Sequence, residues 1–399
     1  MSIPLRIARK RLDVGAADLV VALGYCLRRP SRGPTLAALE QLWTPADAAL
    51  ACLSARSGFD LLLDAVDWPP GSEVLFSAIT IPHLATLVRA HGYVPVAVDL
   101  DPDTLALDPD DVRAACTPRT RALVHAQLLG ARADLDDLAP VTREAGLMLV
   151  DDRAECYDGT DRDLGPLADI ALYSWGTIKT ATCLGGGLVL VGDRDLAARM
   201  RVRQRSWPVQ SSRSYGAKLV RGALMVLIGQ AAVYPTFVRL ADRWAGDYDR
   251  VVRTLSRGYA DAELLARIRV RPSCALLAVM LHRLRRYDPG RVRDRRRAGA
   301  LLAAALSPDV VQLGGRAPRH TYWLFPVVSR DPDALVAAGR VGGFDLTRGS
   351  STLVALDPRC RRAAAAMECI VYLPAYAGMT DADLHRLAQV VNAAEAPVP

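Results

Sequence analysis

Residues 146–192 read GLMLVDDRAECYDGTDRDLGPLADIALYSWGTIKTATCLGGGLVLVG, and this stretch decides the fold. It contains three short apolar runs, and three similar runs precede it. Six runs in all have the length of buried strands: 73–78, 95–100, 122–129, 146–152, 169–175 and 186–192. Helix-like segments such as HLATLVRAHG lie between several of them and end at a glycine. The alternation predicts an α/β fold with a mostly parallel central sheet, whose active site lies at the carboxyl ends of the strands.

The composition of the 399 residues is that of an average globular chain, with 51% hydrophobic and 23% charged residues. It excludes a wholly disordered, collagen-like or coiled-coil protein. The formal net charge is +7, but basic and acidic residues are interleaved, so we expect no nucleic-acid partner. The eight cysteines form no CxxC pair, which argues against a zinc site or any other metal. These cysteines and the absence of an uninterrupted apolar core near the start predict a cytoplasmic protein.

The pattern changes after Arg203. Residues 219–240 read LVRGALMVLIGQAAVYPTFVRL, but their longest uncharged run is the 17 residues 222–238, which is short for a membrane span. We favour a helix buried in the core or at an oligomer interface, and the alternative is a helix that lies on a bilayer. A strand at 321–328 and a final helix in DADLHRLAQVVNAA predict a smaller α+β domain. We therefore divide the chain into 1–250, with an apolar helical insertion at about 209–250, and 251–399.

Lys179 is the most informative single residue. It is one of only three lysines among the 50 basic residues, and it lies in SWGTIKTATCLGGG between two predicted strands. Lysine can form a Schiff base with a carbonyl compound, whereas arginine cannot. The alternative is an ordinary surface lysine in a loop.

Two further features are compatible with a cofactor. Asp152 ends a buried strand, where a carboxylate needs a partner such as a pyridinium nitrogen, although an Asp that caps the next helix is the alternative. The segment Ser54-Ala55-Arg56-Ser57-Gly58 begins a helix whose free N–H groups would suit a phosphate, and Arg56 would add a charged contact. The Ser174 hydroxyl could donate a hydrogen bond to the same phosphate.

The order of these features along the chain resembles that of the fold-type-I pyridoxal-phosphate (PLP) enzymes. A phosphate turn comes first, then an Asp at a strand end, then Ser-x-x-x-x-Lys and a glycine-rich turn. The segments PVAVDLDPDT and MECIVYLPAYAGMTDADLHRLAQVV narrow the resemblance to the DegT/DnrJ/StrS-type aminotransferases. It covers roughly residues 35–205 and, more loosely, 257–394. That family is known mainly for aminating nucleotide-linked keto sugars.

The resemblance implies a role for each matching residue. Lys179 would bind the cofactor covalently, and Asp152 would contact the ring nitrogen. Three residues would contact the phosphate: Ser174, Ala55 and Arg56. Glu155 stands where the family has Gln or His against the ring. Arg269 lies where the family has a residue that reaches the phosphate of a neighbouring subunit, which implies a homodimer with shared active sites.

Three residues are weaker candidates for substrate binding. His83 borders the predicted cofactor pocket, and His320 begins the C-terminal strand. Both are expected to be structural unless a partner is found. Arg348 could bind a substrate carboxylate, although an exposed loop arginine is the favoured reading.

The resemblance predicts a PLP-dependent aminotransferase of fold type I. It would move an amino group from an amino-acid donor, by family habit glutamate, to a keto or aldehyde acceptor such as a sugar or a specialised-metabolite intermediate. One alternative keeps PLP but changes the reaction to dehydration, decarboxylation or carbon–carbon bond formation. The other is a non-catalytic, membrane-associated relative.

Overall fold

A computed structural model describes residues 5–245, Tyr248 and residues 263–396. The helices are α1 (Ala16–Arg28), α2 (Arg32–Glu40), α3 (Ala55–Ala65), α4 (Pro82–Ala90), α5 (Pro109–Ala115), α6 (Leu138–Glu144), α7 (Arg194–Ser206), α8 (Ser212–Ile228), α9 (Tyr234–Ala245), α10 (Leu264–Ile268), α11 (Cys274–Arg286), α12 (Gly290–Ala305), α13 (Pro332–Val341), α14 (Arg361–Glu368) and α15 (Asp381–Glu395). The strands are β1 (Ala49–Cys52), β2 (Glu73–Ser77), β3 (Ile79–Thr80), β4 (Val94–Val98), β5 (Thr120–Ala126), β6 (Ala131–Arg132), β7 (Met148–Asp152), β8 (Ile170–Ser174), β9 (Gly187–Val191), β10 (Val311–Gln312), β11 (Arg319–His320), β12 (Phe325–Val328), β13 (Val354–Ala355) and β14 (Ile370–Leu373).

The central sheet has the strand order β1-β9-β8-β7-β5-β2-β4. Neighbours from β8 to β4 pair in parallel, which confirms the predicted mostly parallel sheet. The run at 186–192 is the exception, because β9 pairs antiparallel with both β8 and β1. Its expected parallel direction was wrong, since no helix lies between β8 and β9 to carry the chain back across the sheet. Strand β1 was not predicted.

Helices cover both faces of this sheet. On one face α3, α4 and α7 bury side chains such as Phe59 and Met200 in the same cluster as Phe76 of β2. On the other face α1, α2 and α11 bury residues that include Leu39 and Met280. Side chains of a strand alternate between the two covered faces, so the runs in the middle of the sheet are mostly apolar. Strand β7 ends at Asp152 and β8 at Ser174, so two of the predicted site residues lie at neighbouring carboxyl ends.

A smaller unit follows in the C-terminal part of the chain. Strands β10, β12 and β14 form an antiparallel sheet, and α13 and α15 contribute to the core beside it. This confirms the smaller α+β part of the predicted fold class, with the strand expected at 321–328 limited to Phe325–Val328. The division at residue 250 stays a prediction, because residues 249–262 lie outside the described part of the chain.

Within the described part of residues 209–250, named the insertion after that prediction, two helices cover the apolar stretch where one was expected. Helix α8 ends at Ile228 and α9 begins at Tyr234, so the continuous helix expected over 219–240 was wrong. Each helix buries one side, and the opposite sides leave apolar residues exposed, with Trp244 83% exposed. Burial in the core therefore holds for one face only. Within the described ranges, no helix has the length and apolar character needed to cross a membrane.

Candidate active site

Lys179 lies in the loop that joins β8 to β9. The loop is held by its own hydrogen bonds: the Trp175 carbonyl accepts from the N–H groups of Cys183 and Gly185 at 3.0 and 3.1 Å. Thr182 Oγ1 donates to the Gly176 carbonyl at 2.7 Å. A loop closed on itself in this way fixes the direction of the Lys179 side chain, which is 16% exposed.

The Lys179 ammonium group has two neighbours. Its Nζ donates to Glu155 Oε1 at 2.9 Å, and it lies 3.9 Å from the centroid of the Trp323 ring. The second oxygen of Glu155 accepts from the Leu129 N–H at 3.0 Å, and the Trp323 indole donates to the Ile178 carbonyl at 2.7 Å. A carboxylate and an aromatic face both attract a cation. Both neighbours are anchored, so the amine is placed by contacts on two sides.

Asp152 lies at the carboxyl end of β7, as predicted. In the part of the chain that the structure describes, its carboxylate accepts one hydrogen bond, from the Ala154 N–H at 3.0 Å. Burial among protein atoms raises the pKa of this carboxyl to about 6, and the charge of Lys179 opposes that rise only in part. A cationic ring nitrogen would supply the missing partner, so the residue fits the predicted contact to a pyridine ring.

The predicted phosphate site is a tight junction between a helix and two strands. Ser54 begins α3 and accepts from the Ser57 N–H, so the first turn of the helix starts at Ala55. Ser174 pairs with Gly187 across β8 and β9, and a Cβ at Gly187 would lie 2.5 Å from the Ala55 nitrogen. Strand and helix start can approach this closely only because residue 187 is glycine. The helix N-terminus and the strand that carries Ser174 therefore meet, as a phosphate cradle requires.

Two of the other predicted residues meet each other near this helix. Arg56 donates from Nε to His83 Nδ1 at 3.1 Å, so the two side chains lie together at the start of α3. Arg269 forms an ion pair with Asp60 of the same chain, at 2.8 and 3.0 Å. The contact of Arg269 with a neighbouring subunit stays a prediction.

His320 and Arg348 have structural partners. His320 Nδ1 accepts from the Tyr322 N–H at 2.8 Å, and burial lowers the pKa of its ring to about 4, with further lowering by Arg295 and Arg296. It is therefore neutral at physiological pH. Arg348 is exposed and donates to the Glu368 carbonyl at 2.6 Å. Their substrate-binding roles stay predictions.

Sequence reasoning missed Trp323, which is 5% exposed beside the predicted lysine. The structure explains its position through Gly130, which has a φ of +95°. A Cβ at residue 130 would lie 2.4 Å from the Trp323 nitrogen. The glycine lets the two segments touch. Nothing in the local sequence reveals this, because the two residues are almost two hundred positions apart.

An apolar cavity of about 230 Å³ adjoins the site. Its walls come from the N-terminal segment, the insertion, Gly349 and Ser350, and Ile178, the neighbour of Lys179. The lining includes the apolar residues Ala8, Leu12, Met225, Ile228 and Phe237 and the cationic residues Arg9, Lys10 and Arg11. The insertion therefore borders the neighbourhood of the predicted active site.

The profile of the DegT/DnrJ/EryC1/StrS aminotransferase family matches residues 31–337. The chain belongs to this family. It is therefore an aminotransferase, which moves an amino group from a small-molecule donor to a small-molecule carbonyl acceptor.

Known relatives agree with this assignment. GDP-perosamine synthase of Caulobacter vibrioides is 30% identical over 253 residues, which cover 62% of this chain and 68% of that protein. The fold is similar to that of the aminotransferase TlmJ from Streptoalloteichus hindustanus, with a TM-score of 0.69, 21% identity and 99% of both chains covered. It is equally similar to the sugar aminotransferase CalS13 from Micromonospora echinospora, with a TM-score of 0.69, 24% identity and coverage of 98% and 99%.

We predict that Asp152→Asn stabilises the cofactor-free enzyme. A folded-state pKa of about 6 means that the folded protein holds this proton more tightly than the unfolded chain, so wild-type stability falls as the pH rises from about 4 to 6. Above that range the variant should exceed the wild type by up to about 3 kcal/mol in free energy of unfolding, because the pKa rises from 3.8 to about 6 and each unit corresponds to about 1.4 kcal/mol. Urea unfolding at pH 4 and pH 7.5 measures this difference. Asp137→Asn, at an exposed helix start without a side-chain cap, is the control. A variant no more stable than the wild type at pH 7.5 contradicts the prediction.

Gly187→Ala should separate β9 from the start of α3. The added methyl group meets backbone atoms of Ser54 and Ala55 at 2.5 Å, so a loss of roughly 1–3 kcal/mol of stability is expected. Gly24→Ala is the matched control, because a Cβ there meets nothing within 4 Å and the residue lies inside α1. Thermal unfolding of both variants measures the difference, and equal melting temperatures would disprove the tight junction.

Proposed function

We propose that this aminotransferase uses PLP to move an amino group from an amino-acid donor to the carbonyl carbon of a keto sugar. The observation that carries the proposal is the position of Lys179, held between the Glu155 carboxylate and the Trp323 ring beside Asp152. PLP, when bound, supplies an electron sink for the carbon that exchanges the amino group.

Each residue has a distinct task in this proposal. Lys179 would bind the aldehyde of the cofactor, and Asp152 would accept a hydrogen bond from the protonated ring nitrogen. Ser174 and the N–H groups at the start of α3, at Ala55 and Arg56, bind the phosphate. Glu155 would lie against the ring, and its hydrogen bond with Lys179 Nζ orients the amine.

Lys179 also moves the proton that the transfer requires. The Lys179 Nζ would take the proton from the α-carbon of the donor and would give it back as the amino group leaves that carbon. Glu155 and Trp323 keep Nζ within a small volume during this step, which is how positioning lowers the barrier. The same groups act in the reverse direction when the acceptor is aminated.

The acceptor class is supported by the relatives. One is named a GDP-perosamine synthase and another a sugar aminotransferase. The apolar cavity beside Ile178 favours a second candidate, a ketone or aldehyde with an apolar portion. Glutamate as donor, a homodimer with shared sites and a cytoplasmic location complete the proposal. The comparisons favour neither the other PLP reactions nor the non-catalytic role, because the family is one of aminotransferases.

Lys179→Ala should abolish the visible absorbance that purified wild-type enzyme acquires with PLP. Only an amine can condense with the cofactor aldehyde. Borohydride reduction of the wild-type enzyme should therefore leave the cofactor attached to the peptide that contains Lys179. Lys218→Ala, on α8, removes another lysine as a control and should leave the spectrum intact. Unchanged turnover in Lys179→Ala would refute the proposed mechanism.

Glu155→Gln should slow the reaction with the donor. Glu155 accepts two hydrogen bonds, from Lys179 and from the Leu129 N–H, and an amide has only one acceptor oxygen. Loss of one bond to a charged group predicts a rate about 10- to 100-fold lower. Stopped-flow absorbance after mixing with glutamate measures it, with Glu144→Gln at an exposed helix end as the control. An unaltered rate would mean that Glu155 does not position the amine.

The two acceptor classes can be separated with enzyme that has first reacted with the donor. Return of the original absorbance on adding a nucleotide-linked keto sugar, but not an apolar cyclic ketone, supports the sugar acceptor. The opposite result favours the second candidate.

A further inference from the structure

A second lysine approaches the same tryptophan ring as Lys179. Lys10 Nζ lies 4.5 Å from the Trp323 ring centroid, and Lys179 Nζ lies 3.9 Å from it. Those two distances limit the separation of the two nitrogens to at most 8.4 Å. The chain has 50 lysines and arginines and only three of them are lysines, yet two of the three meet at one indole. The N-terminal segment thus brings a primary amine into the proposed site.

The Lys10 ammonium group lacks a partner for its hydrogen bonds. Its Nζ is sealed from solvent and has no hydrogen-bond acceptor among the residues that the structure describes. Burial lowers the pKa of this amine to about 7, and the charge of Lys179 adds to the effect. A buried cation without an acceptor is costly, and a bound anion would remove most of that cost.

The neighbouring charges leave room for an anion. Arg295 is buried and donates to the Thr321 carbonyl and to Thr180 Oγ1, at 2.7 and 3.0 Å, so neither of these bonds goes to a carboxylate. Glu155 is the acid whose charge acts on Lys10. Its two oxygens already accept hydrogen bonds from Lys179 and from the Leu129 N–H. Asp152 lies beside Lys179, and Asp13 acts on Arg295, but the acid that acts on Lys10 is Glu155, whose oxygens are occupied. A negative group on the substrate would balance the charge of Lys10.

We infer that Lys10 binds the α-carboxylate of the amino donor. The inference rests on the proposed function. The donor must bring its amine to the cofactor held by Lys179, and in an amino acid the α-carboxylate is attached to the same carbon as that amine. The phosphates of a nucleotide-linked acceptor are farther from its reacting carbon, so the position of Lys10 near Lys179 favours the donor. Lys10 then selects amino acids over simple amines.

Lys10→Met removes the charge and keeps the length of the side chain. We expect the KM for glutamate to rise about 10- to 100-fold, because one charge-assisted hydrogen bond to the donor is lost. The change in kcat should be much smaller. The KM for the acceptor should be unchanged. Lys10→Arg keeps the charge and should raise the glutamate KM less than Lys10→Met does. Lys218→Met is the matched control on α8.

A binding measurement separates this role from a structural one. Calorimetry compares 2-methylglutamate with 4-aminopentanoate, which is the same molecule without the α-carboxylate. Lys10→Met should weaken the first about 10- to 100-fold and leave the second unchanged. The melting temperature of Lys10→Met should not fall, because an unpaired buried cation is removed.

Different results would overturn different conclusions. Equal weakening of both ligands, equal effects of Met and Arg, or a changed KM for the acceptor alone would refute the role of Lys10. An enzyme that binds 2-methylglutamate through Lys10 but transfers no amino group would contradict the proposed function and not this inference.

Discussion

The Lys179 ammonium group, between the Glu155 carboxylate and the Trp323 ring, is the interaction on which the site depends. Its three parts come from distant places in the chain: a loop after β8, the segment after β7 and the stretch before β12. The antiparallel turn of β9 is what makes the loop short and closed. Had β9 run parallel, a crossover would have replaced the loop, and the lysine would lack its fixed direction.

Burial of charge without full compensation is the second feature of the site. Asp152 and Lys10 have opposite charge, and burial favours the neutral form of each. It raises the pKa of Asp152 and lowers the pKa of Lys10. Both are polar groups whose partners within the described residues are few. Such groups are costly in the empty enzyme and gain when a ligand of complementary charge binds. The same residues that lower the stability of the free protein are therefore those that the ligands would stabilise.

The sequence predicted those parts of the fold and site that depend on local pattern. Apolar runs with helices between them predicted the parallel strands, and the order of Ser54, Asp152, Ser174 and Lys179 indicated the cofactor site that we propose. Contacts between distant segments could not be predicted this way. Lys10 and Trp323 are more than three hundred positions apart, and no periodicity connects them. The break between α8 and α9 was missed for a related reason: an apolar run of this length shows no boundary until its packing is known.

The insertion and the N-terminal segment are joined by contacts with one residue, Asp345. These contacts connect the insertion to the segment that carries Lys10. Arg9, the neighbour of Lys10, forms an ion pair with the buried Asp345 at 2.7 Å. Tyr234, the first residue of α9, donates to that carboxylate, and so does Tyr248 at 2.8 Å. Because Asp345 joins all three, a shift of α9 would move the backbone next to Lys10. Helix α9 and the segment that carries Lys10 are therefore linked through one buried carboxylate outside the central sheet, and the same two segments line the apolar cavity.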